Sequence, residues 1–501
     1  MAKIGVFPEL SPEEAAAKIP HGATVAFSGF THAGAAKVLP GALADRARSE
    51  HESGRPYRLQ VMTGASCSES VDEPLGKVDA ISWRAPYQSS STLRKLINRQ
   101  EVEYVDMHLS QVSEMVLAGF HGKIDFAVIE ATEVTTDGRV YLTTSVGASP
   151  TYLQCADRVI IELNRYHSLR LREMTDITIL SGPPHRGALA LHSPLSKVGY
   201  PYAQVDPRRI VGIVENDEPD RAGPLSPPDV RSDKIAEHVV RFLVEEICSG
   251  QIPPEFLPLQ AGVGNIGNGV MAALGKSEDI PPFSMYTEVF QDSLVDLMEQ
   301  GKLQGASTAA LTLTTENLRR IYDNMDFFIP RIVLRPQEIS NHPGAVLGLG
   351  VIAMNTALEV DIYGNVNSSH VYGTDVMNGV GGSGEFTRNA FLSIYMCPSI
   401  AKGGKISSIV PMAPHVDNNE HAVQVVATEQ GLADLRGLGP LQRAKAIIEN
   451  CAHPAYRDYL HRYIEKSRIG HIRHDLDSCF ELHINLMEQG AMLPDLDFTK
   501  L

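Results

Sequence analysis

Positive charge is scarce in this chain. Lysine and arginine total 44 against 60 aspartates and glutamates, a net charge of −16 over 501 residues. Such a balance disfavours non-specific binding to nucleic acid or to an anionic membrane surface. An anionic small molecule remains possible, because a few backbone amides and one lysine can hold a phosphate on an acidic protein. Long apolar runs are missing too: no stretch reaches the ~18 residues a membrane span needs. The start, "MAKIGVFPELSPEEAAAKIP", has no basic segment leading into an apolar one and does not read as a secretory signal. The six cysteines (Cys67, Cys155, Cys248, Cys397, Cys451 and Cys479) are scattered, with no C-x-x-C pair and no zinc-like spacing to histidine. They read as reduced thiols of a cytoplasmic protein. Cys67 has no matched base and reads as packing. His342, His370, His415 and His421 lie near glycine-rich stretches, but no H-E-x-x-H occurs, and no metal site is expected. Neither a Ser/His/Asp nor a Cys/His set is visible.

Apolar residues make up 43% of the chain and charged residues 21%, enough to bury sizeable cores. Short β-rich runs alternate with helical patterns. Ala23–Phe30, Phe126–Thr132, Arg158–Leu163 and Asp176–Leu180 read as buried strands. "SDKIAEHVVRFLVEEICSG" reads as an amphipathic helix, capped by Ser232, with Ile235, Val239, Phe242, Leu243 and Ile247 on one face and Gly250 as its stop. This alternation predicts α/β layers with largely parallel sheets. Periodicity lapses over Glu215–Asp233, where Pro219, Pro224, Pro227 and Pro228 fall, and a domain boundary is expected there. "EVTTDGRV" (Glu133–Val140) and "EVDIYGNV" (Glu359–Val366) echo each other as E-V-x-x-x-G-x-V. A turn glycine between two strands explains each copy. The pair favours two similarly built α/β domains.

Three glycine-bearing stretches attract chemistry. "GVGNIGNGV" at Gly262 contains G-x-G-x-x-G, the letters of a dinucleotide fingerprint, with Glu288 downstream where a ribose-binding acid would fall. The fingerprint requires a buried strand before its first glycine. Pro253, Pro254 and Pro258 argue against one, and Asn268 and Gly269 argue against a firm helix start. An NAD-dependent oxidoreductase is therefore a remote alternative. "FSMYTEVF" reads as a strand carrying Glu288 near its end; "SLVDLMEQ" reads as a helix capped by Asp292 or Ser293 and stopped at Gly301. Gly379, Gly381, Gly382 and Gly384 leave a loop whose bare amides suit a phosphate or an oxyanion.

Taken in order, "SGFTHAG" at Ser28, "TGAS" at Thr63, "GVGNIGNGV" at Gly262, "YTEVFQDS" at Tyr286, "RPQEISNHPG" at Arg335, "VMNGVGGSGEFTRNA" at Val376 and "VATEQGLADLRG" at Val426 make the chain resemble the acetyl-CoA hydrolase/transferase family, in its succinyl-CoA:acetate or propionyl-CoA:succinate CoA-transferase branch. The resemblance spans nearly the whole chain. It implies two similarly built α/β domains with the active site between them. The first covers residues 1–222 on the carboxylate side; the second covers 223–501 and carries Glu288 and the coenzyme A site. It implies Glu288 as covalent nucleophile, with Asn341 and the Gly382 N–H as oxyanion hole. Gln260, Ala261, Gly262, Val263, Gly264, Asn378, Gly382 and Lys402 become coenzyme A contacts, and Ser66, Arg221 and Glu429 the pocket for a small carboxylate. The implied reaction moves coenzyme A between short carboxylic acids, with an acyl-CoA hydrolase on the same scaffold as alternative. Coenzyme A enters as substrate, no prosthetic group is implied, and the implied assembly is a homodimer. Glu385 stands where the family often shows Asp. A glutamate nucleophile, with a free pKa of ~4.3, is expected to be ionised at neutral pH without a general base.

Overall fold

The computed structural model describes residues 7–223 and 229–500. Pro224, Pro227 and Pro228 of the expected boundary lie outside the described residues. The chain forms two compact units that do not follow it as two consecutive blocks. The first comprises Met1–Pro224 together with Ser284–Leu349 and Asn378–Glu385; the second comprises Leu225–Phe283, Gly350–Met377 and Phe386–Leu501. The C-terminal half then returns to the first unit twice, so Glu288 lies in the first unit and not with the residues that follow the proline-rich stretch.

The first unit is built on a nine-stranded sheet: β1 (Thr24–Phe27), β2 (Leu59–Met62), β3 (Ile81–Ala85), β4 (Glu103–Tyr104), β5 (Phe126–Val134), β6 (Arg139–Leu142), β7 (Arg158–Asn164), β8 (Ala203–Gln204) and β9 (Ile210–Asn216). β4, β3, β2, β1 and β5 run side by side in parallel, and β5 continues in parallel to β7 and then β9. β6 returns antiparallel to β5. These strands are almost continuously apolar and buried, as a sheet covered on both faces requires. Because they are parallel, the carboxyl ends of β1 to β4 share one edge, where α/β proteins place ligands. "DITIL" is not a strand; its neighbourhood makes only single bridges, Thr175 to Leu334 and Ile177 to Tyr200. Residues 284–349 add the strands Leu303–Thr308 and Ile332–Leu334, paired in parallel. They are stitched to the loop after β6 by Val146 N–H to Ala309 O (3.0 Å) and Leu311 N–H to Thr144 O (2.8 Å).

In the second unit Leu259–Ala261, Ile352–Thr356, Leu392–Met396 and Val425–Thr428 are parallel neighbours, with Gly431–Asp434 antiparallel at the end. The helix Val230–Cys248 forms as its pattern predicts and buries Ile235, Val239, Phe242 and Leu243. Its cap is Asp229, which accepts the Ser232 N–H at 2.8 Å; Ser232 itself sits in the first turn. Val360, Tyr363, Val426, Ile447, Leu460 and Tyr463 anchor this unit's core. Both copies of the E-V-x-x-x-G-x-V echo are hairpins, with Gly138 at φ 83° and Gly364 at φ 97°, the left-handed region glycine favours. No described helix is long and apolar enough to cross a membrane.

Candidate active site

Glu288 occupies a two-residue break between the short strands Phe283–Tyr286 and Val289–Gln291, and not the end of one continuous strand. The break is pinned on its backbone. Thr287 N–H donates to Ser307 O, and the Glu288 carbonyl accepts from Ala309 N–H at 2.9 Å and from Thr308 Oγ1 at 2.8 Å. The following helix, Asp292–Glu299, has no side-chain cap; the Asp292 carboxylate instead accepts from Thr314 N–H and Oγ1. Holding the chain on both sides aims the Glu288 side chain.

Two groups crowd its carboxylate and a third senses its charge. Asn341 Nδ2 donates to Glu288 Oε1 at 2.6 Å. Asn341 is fully buried at the end of the short helix Gln337–Ser340, and its Oδ1 accepts from Ser340 Oγ at 2.7 Å, which turns the amide nitrogen toward the glutamate. Gly382 presses against the same oxygen: a Cβ there would lie 1.6 Å from Glu288 Oε1 and 2.3 Å from Asn341 Nδ2, so any larger residue would displace this pair. Tyr87, just beyond β3, feels the Glu288 charge, and burial is the main reason its phenol is pushed up to about 12.

Burial dominates the electrostatics. It drives Glu288 up to about 7, opposed only by the Asn341 hydrogen bond. Burial thus favours the protonated form at a pH closer to neutral than for a free glutamate, against the expectation of a carboxylate ionised without help. Its exposure remains intermediate, which leaves an approach for a reactant. Glu385, 6% exposed, is pushed up to about 8, first by burial and further by the charge of Glu288. Its Oε1 accepts the Ser110 N–H at 2.7 Å.

Ser66, expected on the carboxylate side, is buried at the carboxyl end of β2, where its Oγ meets Asp72 Oδ2 at 3.2 Å and accepts Ser89 N–H at 3.0 Å. Arg221, also in the first unit, is exposed and donates to Glu218 at 2.7 Å and to the Lys37 carbonyl at 3.4 Å. Asn378 donates its amide to Gly379 O. In the second unit Glu429 accepts from Ser399 N–H at 2.7 Å, and Lys402 is exposed with φ at 47°. Gln260 is buried on its strand and bonds Asn355 at 3.1 Å. The stretch Gln260–Gly264 overturns one expectation. A buried strand, Leu259–Ala261, does precede Gly262, and the helix Asn265–Lys276 follows at once with Gly264 as its N-cap. The prolines end just before that strand. Gly267 lies on Gly262, where a Cβ would meet the carbonyl at 2.3 Å. The result is a strand, a tight turn and a helix N-terminus, a geometry suited to phosphate.

Sequence reasoning missed Tyr87, Asp106 and Ser110, which lie outside the quoted motifs, and gave no role to Ser340, which "RPQEISNHPG" contains. It also missed a buried group of Glu130, His167 and Asp220, whose ligand-type atoms lie within 4.8 Å of one another. The Lys37 ammonium sits 2.8 Å from both carboxylates of that group. All six cysteines are free, and burial pushes Cys67 up to about 12, so it is no thiolate.

Known proteins bear on this geometry. The acetyl-CoA hydrolase/transferase N-terminal domain matches residues 6–215 and the C-terminal domain of the same family matches residues 318–464. A propanoyl-CoA:succinate CoA transferase of Escherichia coli is 56% identical over 97% of this chain and 98% of its own. A succinyl-CoA:acetate CoA-transferase of Clostridium kluyveri is 41% identical over 96% and 90%, and an acetyl-CoA hydrolase of Schizosaccharomyces pombe is 38% identical over 95% and 94%. The crystal structure of RipA from Yersinia pestis shares the fold, with a TM-score of 0.71 at 24% identity over 92% of this chain and 97% of that one. With both family domains in sequence order and relatives matched nearly end to end, the chain belongs to the acetyl-CoA hydrolase/transferase family.

Proposed function

We propose that this protein transfers coenzyme A between small carboxylic acids, with Glu288 as nucleophile. The observation that carries the reading is the largely desolvated Glu288 carboxylate, held by Asn341 at 2.6 Å and crowded by Gly382, where any Cβ would displace it. In its ionised form Glu288 attacks the thioester carbonyl of an acyl-CoA. The C–S bond breaks, coenzyme A leaves as thiolate, and an acyl-glutamyl anhydride forms. The thiolate then attacks the Glu288 carbonyl and expels the first acid as carboxylate, leaving a glutamyl-CoA thioester. A second carboxylate reverses both steps. This is ping-pong covalent catalysis.

Each attack creates an oxyanion. The Asn341 amide and the Gly382 N–H are the donors for it, and one such donor contributes ~3 kcal/mol. Desolvation raises the energy of the Glu288 carboxylate before reaction and so favours its attack. Coenzyme A is assigned to Gln260, Ala261, Gly262, Val263 and Gly264, with phosphate at the helix N-terminus that follows, and to Asn378 and Lys402. The carboxylate pocket is assigned to Ser66, Arg221 and Glu429. Acetate, propionate and succinate are the substrates to test first, given what the Escherichia coli and Clostridium relatives act on. We assign the protein to the cytoplasm, as a homodimer. The hydrolase named for the Schizosaccharomyces relative supports a second reading, with water as acceptor.

The test is turnover of Glu288→Ala with succinyl-CoA and acetate. Loss of activity is expected, and near-normal turnover sinks the nucleophile. Borohydride after acyl-CoA should inactivate the wild type by reducing the thioester. Coenzyme A release that is fast alone and unchanged by any added acid would favour the hydrolase.

A further inference from the structure

Two carboxylates that the proposed chemistry does not use hold the ends of the glycine loop. Asp106 follows β4 and accepts the Val380 N–H with both oxygens, at 3.0 and 2.8 Å. Tyr104 donates its hydroxyl to Asp106 Oδ1 at 3.2 Å. Burial keeps that phenol protonated far above neutral pH, so it stays a donor. Gly379 is pressed onto the pair: a Cβ there would lie 2.5 Å from Asp106 Oδ1 and 2.6 Å from the Tyr104 hydroxyl. At the other end, Glu385 returns the contact by accepting the Ser110 N–H at 2.7 Å. Segment 106–110 thus grips 380–385 at both ends, with Gly382 between the grips.

We propose that Asp106 and Glu385 are positioning residues that clamp the glycine loop and hold the Gly382 backbone in register with Glu288 and Asn341. The proposal rests on the transfer reading above, in which the Gly382 N–H serves the oxyanion. Glycine loops are conformationally loose, and such a donor must be placed within ~0.5 Å. Where the carboxylate is ionised, accepting a backbone N–H makes a charge-assisted bond, roughly twice as strong as a neutral one; Glu385, pushed up to about 8, accepts the Ser110 N–H through its carbonyl oxygen in either form. Asparagine at 106 would offer one acceptor oxygen and turn a donor toward the Val380 N–H. Glutamate at 385, one methylene longer than the aspartate often found in the family, gives the reach to Ser110.

The test compares Asp106→Ala, Asp106→Asn, Glu385→Ala and Glu385→Gln in the succinyl-CoA plus acetate assay, with the borohydride-trapped fraction measured for each. Asp106→Ala should lower kcat ~10–100-fold, as a shift of about 1 Å in a catalytic group does, while KM for acyl-CoA moves less than ~3-fold. Asp106→Asn should recover part of the loss, and Glu385→Gln should recover more of the Glu385→Ala loss, since its carbonyl oxygen can still accept the Ser110 N–H. The rate of thioester formation should fall with kcat while the final trapped fraction stays near that of the wild type. A kcat within ~2-fold of wild type in both alanine variants overturns the clamp. So does a loss matched by an equal fall in the trappable fraction, which would mark unfolding alone. If an alanine variant does not fold, unchanged kcat in Asp106→Asn and Glu385→Gln is the overturning result. Full turnover of Glu288→Ala would instead refute the transfer reading and is a separate outcome.

Discussion

Two buried acid clusters in the first unit make a useful contrast. Around Lys37, the Glu130 and Asp220 carboxylates each lie 2.8 Å from the ammonium, and Thr143, Asn164 and Gly34 supply further donors. Burial there would raise Asp220, but the charge of Lys37 and then of His167 outweighs it and holds Asp220 below the usual range. Around Glu288 the side-chain partner among the described residues is a neutral amide, and burial raises Glu288 to about 7 and Glu385 to about 8. Similar side chains, all largely removed from water, end on opposite sides of their ordinary values. The difference is whether a cation was buried with them. A compensated cluster is held for structure; an uncompensated one keeps its reactivity, which is where chemistry is expected.

The contrast breaks most visibly at Lys37. Lys37→Met leaves two carboxylates buried without their cation and should cost ~3–5 kcal/mol of stability, read from denaturant midpoints. A loss below ~1 kcal/mol would mean the cluster does not depend on its cation. Asn341→Ala removes the single donor to Glu288 and should lower kcat ~100-fold with a near-normal melting temperature. The pH response sharpens the same point. The folded pKa of Glu288 is raised, so the folded state binds more protons than the unfolded one between about 4.5 and 7, and Glu288 erodes stability as pH rises through that window. Glu288→Gln should therefore stabilise the protein at pH 8, by roughly 1–2 kcal/mol with allowance for solvent at the site, and hardly at all at pH 4. Equal effects at both pH values would argue against a strained carboxylate. Formation of the trapped thioester in the wild type should likewise slow as pH falls below 7, because the attacking form is lost. The smallest effect concerns Cys67: with its thiol pushed up to about 12, the native protein should resist iodoacetamide at that position at pH 8, as peptide mapping would show.

Much of the layered architecture was legible. β1, β5 and β7 follow from β-rich apolar runs, and the helix Val230–Cys248 follows from its 3.6-residue period. Local punctuation was less so. Ser232 and Asp229 both suit a cap, and only backbone geometry selects Asp229. The prolines before Gly262 hid a real strand because it is only three residues long and begins just after the last of them. "DITIL" looks like a strand but finds no ladder beyond single bridges. The three central site residues could be listed from motifs, and the structure brings Glu288, Asn341 and Gly382 together from segments far apart in the chain.

The sequence by itself determined the α/β class, the family and the set of motifs, because periodicity, turn glycines and residue order are local properties written along the chain. The tertiary structure alone decided which unit holds Glu288, how far its carboxyl is driven from its free value, and that Asp106 and Ser110 meet a loop some 270 residues away. Burial and long-range hydrogen bonds exist only once separate segments pack, and no window of sequence contains them.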